Sequence, residues 1–326
     1  SRGLVFFYTT PTPHSRLKNR RFIIRRLINK SSRSFTKRKE QVIKSILALS
    51  AYISIFTTIG IIVVLGSESL GFFREVSLWE FLFGTRWEPL LLPKSFGVLP
   101  LLSGTLLIVV GSGLIAIPMG ILTAVYLSEY ASERVRSAVK PILEILAGIP
   151  TVVYGYFALT FITPVLRSVL PSTEIFNAAS ASIVVGIMVL PMVASLCDDA
   201  IRAVPLSLRQ GGYALGGTPF EVIRGVVMPG ALSGIMASFI LALSRAFGET
   251  MAVTLAAGAT PNLTFNPMES IQTMTAYIVQ VSLGDTPAGS IEYQTIFAVG
   301  ALLFVVTLCM NIFANRIMRK FREVYE

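Results

Sequence analysis

Six long apolar runs limit what this chain can fold into more than any other feature: 45–65, 98–127, 145–166, 178–196, 231–257 and 296–314. A helix rises about 1.5 Å per residue, so a run of about 20 residues crosses the ~30 Å hydrocarbon layer of a bilayer. Inside lipid every backbone N–H and C=O needs an internal partner, and a continuous apolar run meets that need as a helix. The sequence therefore predicts an all-α integral membrane protein with six transmembrane helices. The second run exceeds what a perpendicular helix needs, which predicts tilt or extension beyond the bilayer. Composition agrees: 53% of the 326 residues are hydrophobic and 14% are charged, whereas a soluble domain carries about 25% charged residues.

The formal charge of +10 is a topology signal. Basic residues crowd the loops on one side of the spans: thirteen in segment 1–44, then Arg134, Arg136 and Lys140, then Arg202, Arg209 and Arg224, and finally Arg316, Arg319, Lys320 and Arg322. The opposite side holds Arg74, Arg86, Lys94 and Arg167. Lys/Arg-rich loops stay in the cytoplasm, so both termini are expected there and no nucleic-acid partner is implied. The expected order is a basic, partly disordered cytoplasmic tail (1–44, with an amphipathic stretch at 20–28), a first transmembrane helix (45–66), a periplasmic loop (67–97), a transmembrane core (98–320) and a short tail (321–326). Trp79 and Trp87, in that outer loop, read as an interfacial belt or as a docking surface.

Several functions are excluded early. One histidine (His14) and two distant cysteines (Cys197, Cys309) supply neither a disulfide framework nor a metal cluster, so no metal and no cofactor is expected. Residues 111–116, GSGLIA, fit a dinucleotide fingerprint but lie within an apolar run with no strand–turn–helix context. No phosphate-binding loop of the nucleotide-hydrolase type occurs, so the chain itself is not expected to hold ATP.

Segment 197–230 reads as helix, turn, helix. Gly216 and Gly217 stop the first helix, and Thr218, Pro219 and Glu221 form a capping box with proline at the favoured first position. Pro229 is expected to end or bend the second helix. Asp198 and Asp199 flank this segment and read as solvated or facing a partner. Glu144 reads as pairing with Lys140 four residues earlier.

The stretch YALGGTPFEVIRGVVMPGALSGI (213–235) resembles the coupling loop of ABC importer permeases, with Gly216 at the conserved glycine of that motif. The motif's leading Glu-Ala-Ala is Gln210-Gly211-Gly212 here. The stretches FLFGTRWEP (81–89), AGIPTVVYG (147–155) and RAFGETMAV (245–253) sharpen the resemblance, over about 75–320, to the phosphate importer's permease of the PstC type. The resemblance implies a MetI-like permease bundle and a non-enzymatic subunit that conducts inorganic phosphate. It also implies a second permease subunit of the PstA type, two ATP-binding subunits engaged through Gly216, Thr218, Pro219 and Glu221, and a periplasmic phosphate-binding protein.

Arg245 and Glu249 interrupt the fifth run. A four-residue step puts them on one helical face, and a lone charge at mid-bilayer costs at least about 2.5–3.5 kcal/mol. One reading is a buried ion pair that locks helix packing. The other is an anion pathway: Arg245 grips an oxyanion, Glu249 moderates that grip or accepts a phosphate proton, and Thr250 adds a hydroxyl nearby. Rival readings are a permease for another oxyanion such as molybdate or sulfate, an intramembrane enzyme, and a secondary carrier.

Overall fold

A computed structural model describes residues 13–320, with side chains described for 39–316. It divides into Ser1–Val64 and Leu65–Glu326. Helix α1 (Pro13–Glu75) carries the first apolar run. From residue 13 onward the basic segment is thus helical, where the sequence reading had it partly disordered. The faces of the 20–28 stretch and the tail 321–326 lie outside the described residues. Between 39 and 64 the α1 side chains are almost all exposed, as befits an apolar helix whose solvent is lipid.

The second unit continues through α2 (Leu78–Phe83), a two-residue hairpin, α3 (Leu99–Val125), α4 (Glu133–Gly148), α5 (Thr151–Phe157), α6 (Thr163–Val169), α7 (Ala178–Arg202), α8 (Leu206–Ala214), α9 (Pro219–Val222), α10 (Met228–Phe247), α11 (Met251–Ala257), α12 (Met274–Leu283) and α13 (Ile291–Lys320). Of three π turns, Tyr126–Tyr130 lengthens α3, while Ala158–Ile162 joins α5 to α6 and Ile223–Val227 joins α9 to α10. Among the described residues six rods are long and apolar enough to cross a membrane: Lys39–Glu75, Leu99–Tyr130, Thr151–Val169, Ala178–Arg202, Pro219–Phe247 and Ile291–Arg316.

Two of these differ from the expected spans. The third starts at Thr151, because Ile149 and Pro150 leave helical geometry and the preceding residues belong to α4. That helix is amphipathic, is capped by Ser132 and buries none of its residues fully. The fifth starts earlier and stops earlier than 231–257. Pro229 does not end it: it occupies the first turn of α10, where its missing N–H is harmless. The preceding π turn, in which Met228 N–H donates to Ile223 O, carries the chain through.

The core of this unit is α3 and α7, side by side and parallel. Small residues set their distance. A Cβ on Gly111 would lie 2.5 Å from Ser182 Oγ, and one on Gly120 2.5 Å from Val193 Cγ1. The glycines of 111–116 are therefore packing surfaces. Helix α10 runs antiparallel to α7: Gly234 faces Ala200 and Cys197 Sγ lies 2.9 Å from Ser238 Oγ.

The hairpin pairs β1 (Trp87–Glu88) with β2 (Ser95–Phe96), antiparallel. It closes an aromatic cluster at one end of the bundle. Trp87 is 1% exposed and meets Tyr277 edge to face at 4.9 Å, so it is a core residue of the segment between the first two spans and neither a belt nor a docking residue. Trp79 is exposed and stacks on Phe83. Lys94 pairs with Glu292, tying the hairpin to α13.

Candidate functional site

Arg245 occupies the last turn of α10 and lines a cavity of about 410 Å³ between α4, α7 and α10. The wall from α4 is Lys140, Leu143, Glu144 and Ala147. These positions step by three and four residues and so share one helical face. The wall from α7 includes Met188, Pro191, Met192, Ser195 and Asp198, again one face. The cavity mixes apolar walls with ionisable groups, and Arg245, an exposed residue, borders this space rather than a sealed apolar neighbour.

The other end of the cavity is an ion cluster. Asp198 is fully buried. Its Oδ2 lies 2.8 Å from Arg136 Nη2 and 2.9 Å from Lys140 Nζ, and its Oδ1 lies 3.1 Å from Arg202 Nε. This corrects three expectations. Asp198 is not solvated, Arg136 is not a free topology anchor, and Lys140 pairs with Asp198 instead of Glu144. Desolvating a carboxylate costs several kcal/mol unless close charges and hydrogen bonds repay it. Three cations on one carboxylate do so and leave the site net positive. Only the Arg202–Asp198 step of four was visible as a local pattern. Arg136 and Lys140 sit about sixty residues away, and no local signal links them to Asp198.

The expected Arg245–Glu249 ion pair is absent among the described residues. The step of four aligns two side chains only if the helix continues, and α10 stops at Phe247 with Gly248 as its cap. Glu249 instead bonds within the segment that follows α10. It is 8% exposed, its Oε1 accepts from Ala252 N–H at 3.2 Å, and its main-chain carbonyl accepts from Thr275 Oγ1 at 2.7 Å. Thr250 Oγ1 donates to Gly248 O at 3.1 Å. Glu249 and Thr250 thus hold the break between α10 and α11 and fix the end of α10 that carries Arg245.

The turn after α8 follows the local sequence closely. Gly216 has φ +83°, a left-handed geometry that costs other residues about 1–2 kcal/mol. Thr218 Oγ1 accepts from Glu221 N–H at 3.4 Å, and Glu221 Oε2 accepts from Thr218 N–H at 2.8 Å, with Pro219 opening α9. The short helix α8 is tied back to the bundle by Arg209. Its Nη1 donates to Glu129 Oε1 at 2.5 Å and its Nη2 to Ile201 O at 2.6 Å. Sequence reading overlooked this link because Glu129 lies eighty residues upstream.

Residues 116–323 match the family model described as the binding-protein-dependent transport system inner membrane component. The chain belongs to this family of ABC importer permeases. It is 35% identical over 266 residues to the probable ABC transporter permease protein YqgH of Bacillus subtilis, covering 81% of this chain and 86% of that one. It is 30% identical to the phosphate transport system permease protein PstC of Haemophilus influenzae, covering 75% and 82%. Against PstC 1 of Mycobacterium tuberculosis it is 34% identical, covering 69% and 73%. Among solved structures, a bacterial alginate ABC transporter in complex with a pentasaccharide-bound periplasmic protein superposes with TM-score 0.61 at 18% identity, covering 89% and 98%. The inward facing MetNI methionine ABC transporter gives 0.52 at 19%, covering 70% and 95%. At those identities the likeness establishes the fold, a MetI-like bundle.

Membership makes the chain a multi-pass inner-membrane transport subunit that works with ATP-binding and periplasmic binding proteins and is not itself an enzyme. In the permease, the turn at Gly216–Glu221 and the cavity at Arg245 fall within the matched residues. The hairpin with Trp87 precedes them.

Proposed function

We propose that the permease translocates inorganic phosphate, as one of two permease subunits that form the channel, the other of the PstA type. Two ATP-binding subunits engage the turn at Gly216, Thr218, Pro219 and Glu221 from the cytoplasm. A periplasmic phosphate-binding protein delivers the anion at the opposite face. The distribution of Lys and Arg supports this orientation, with both termini cytoplasmic.

The observation that carries the reading is Arg245 bordering a half-open cavity between α4, α7 and α10, in a chain whose relatives include phosphate transport permeases. Guanidinium stays charged at any physiological pH and presents a planar fork that fits two oxygens of a tetrahedral anion. A cation at this depth is costly unless it faces a partner or a water-filled passage. Arg245 has no ion-pair partner among the described residues, so an anion in the cavity supplies one. Glu249 and Thr250 act on the pathway by holding the helix break that positions Arg245.

The test is uptake into proteoliposomes holding the permease with its partner subunits, with labelled phosphate competed by unlabelled sulfate and molybdate. ATP-dependent phosphate accumulation that neither competitor suppresses supports the reading. Absence of ATP-dependent accumulation of labelled phosphate overturns it, and suppression by a competitor as strong as by unlabelled phosphate widens the substrate to that oxyanion.

A further inference from the structure

We propose that Lys140 is a second anion-binding residue of the pathway, receiving the anion at the end of the cavity opposite Arg245. This rests on the oxyanion-transport reading above.

The geometry places two cations at the two ends of one space. In the antiparallel register of α7 and α10, Gly234 faces Ala200 and Cys197 touches Ser238, so Arg245 lies level with about Val189. Asp198 and the Lys140 ammonium beside it lie about 12–14 Å further along α7, at 1.5 Å per residue. Both Arg245 and Lys140 line the same cavity. At about 30 Å³ per water, its 410 Å³ holds a five-heavy-atom oxyanion with part of its hydration.

Charge bookkeeping singles out Lys140 among the three cations at Asp198. Arg136 and Arg202 already contact both carboxylate oxygens, so Asp198 stays neutralised without the lysine. Arg136 is the more buried, and Lys140 is the one that also faces the cavity. An ammonium has three N–H donors. Asp198 is its one polar partner among the described residues, which leaves donors to offer an oxyanion. The flexible four-carbon stem lets this point charge follow a moving ligand, and the fixed carboxylate recovers it when the ligand leaves. Glu144, on the same face of α4, also lines the cavity and would discourage an anion from lingering.

The experiment uses the assembled complex in proteoliposomes, with uptake normalised to assembled transporter. Wild type is assayed first with phosphate, sulfate and molybdate. If it moves sulfate or molybdate and not phosphate, the phosphate reading falls, and the variants are read with the anion it does move. If it moves none, both readings fall. Lys140→Gln is expected to lower maximal uptake at least fivefold and Lys140→Arg to keep more than half. The double variant Lys140→Gln/Asp198→Asn has the same net formal charge at the cluster as wild type and is expected to stay low. Uptake by Lys140→Gln within twofold of wild type overturns the proposal. So does recovery in the double variant, which would mean that Lys140 only balances Asp198. Should Lys140→Gln not assemble, Lys140→Cys in a Cys309→Ser background is modified after assembly, since Cys197 is buried. Uptake restored by an aminoethyl thiol reagent and not by a neutral methylthio reagent supports the proposal. Equal uptake after both overturns it.

Discussion

Arg136 Nη2 lies 2.8 Å from Asp198 Oδ2 across 62 residues of sequence, fastening α4 to α7 at one end of the cavity. With Lys140 and Arg202 it makes Asp198 the most heavily paired carboxylate among the described residues. Removing one side of a buried pair leaves an uncompensated charge and costs about 3–5 kcal/mol. Asp198→Ala is therefore expected to lower the apparent melting temperature of the detergent-solubilised permease sharply. Asp199→Ala, at an exposed neighbour, is expected to stay within about 0.5 kcal/mol of wild type. Equal effects at the two positions would mean that the cluster is not structural.

Arg209 is the second fastening, joining α8 to Glu129 and to Ile201 O. On the proposed reading, in which ATP-binding subunits engage the turn after α8, this forked contact is the link that would carry their movement from α8 to the bundle. Arg209→Lys keeps the charge and loses the fork. Phosphate moved per ATP hydrolysed is expected to fall several-fold, measured by paired uptake and hydrolysis assays. The swap Glu129→Arg/Arg209→Glu should recover part of the loss, as double-mutant coupling between contacting charges requires. An unchanged ratio in Arg209→Lys would remove the link from the account.

Two glycines near the turn should respond with opposite signs. Gly216 has φ +83° with open space around a would-be Cβ, so Gly216→Ala costs about 1–2 kcal/mol from backbone strain alone. Gly211 lies inside α8, also beside open space, so Gly211→Ala stabilises by about 0.5–1 kcal/mol. Thr218→Ala, which removes the cap, is expected to cost about 1 kcal/mol. Thermal unfolding of the three variants in one detergent tests all of these signs.

The α3–α7 contact predicts compensation. A Cβ at Gly120 would meet Val193 at 2.5 Å, and forcing a methyl into a packed core costs about 1–3 kcal/mol. Gly120→Ala/Val193→Ala should be more stable than Gly120→Ala. A double variant no better than the single would place the strain elsewhere.

The pattern of what sequence could reveal is physical. Membrane spans are long local signals, and six rods stand near six apolar runs. The cap at Thr218, Pro219 and Glu221 is settled within four residues, so it too was legible. The Arg245–Glu249 pairing failed because a helical step was extended through Gly248, where the helix ends. Helix α4 was merged with the next span because its Leu- and Ile-rich end runs on into it; Ile149 and Pro150 mark the boundary. The Asp198 cluster and the Glu129–Arg209 pair were out of reach because partners sixty to eighty residues apart meet only after the bundle is packed.

The central claim is that Arg245 binds the transported anion, and substitution there tests it most directly. Charge-assisted hydrogen bonds contribute about 1.5–3 kcal/mol each, or about ten- to a hundredfold in affinity. Phosphate uptake by the assembled Arg245→Gln complex is expected to fall by at least about tenfold, with Arg245→Lys intermediate because it keeps the charge without the fork. Uptake by Arg245→Gln within twofold of wild type, in a complex that assembles normally, would contradict the account.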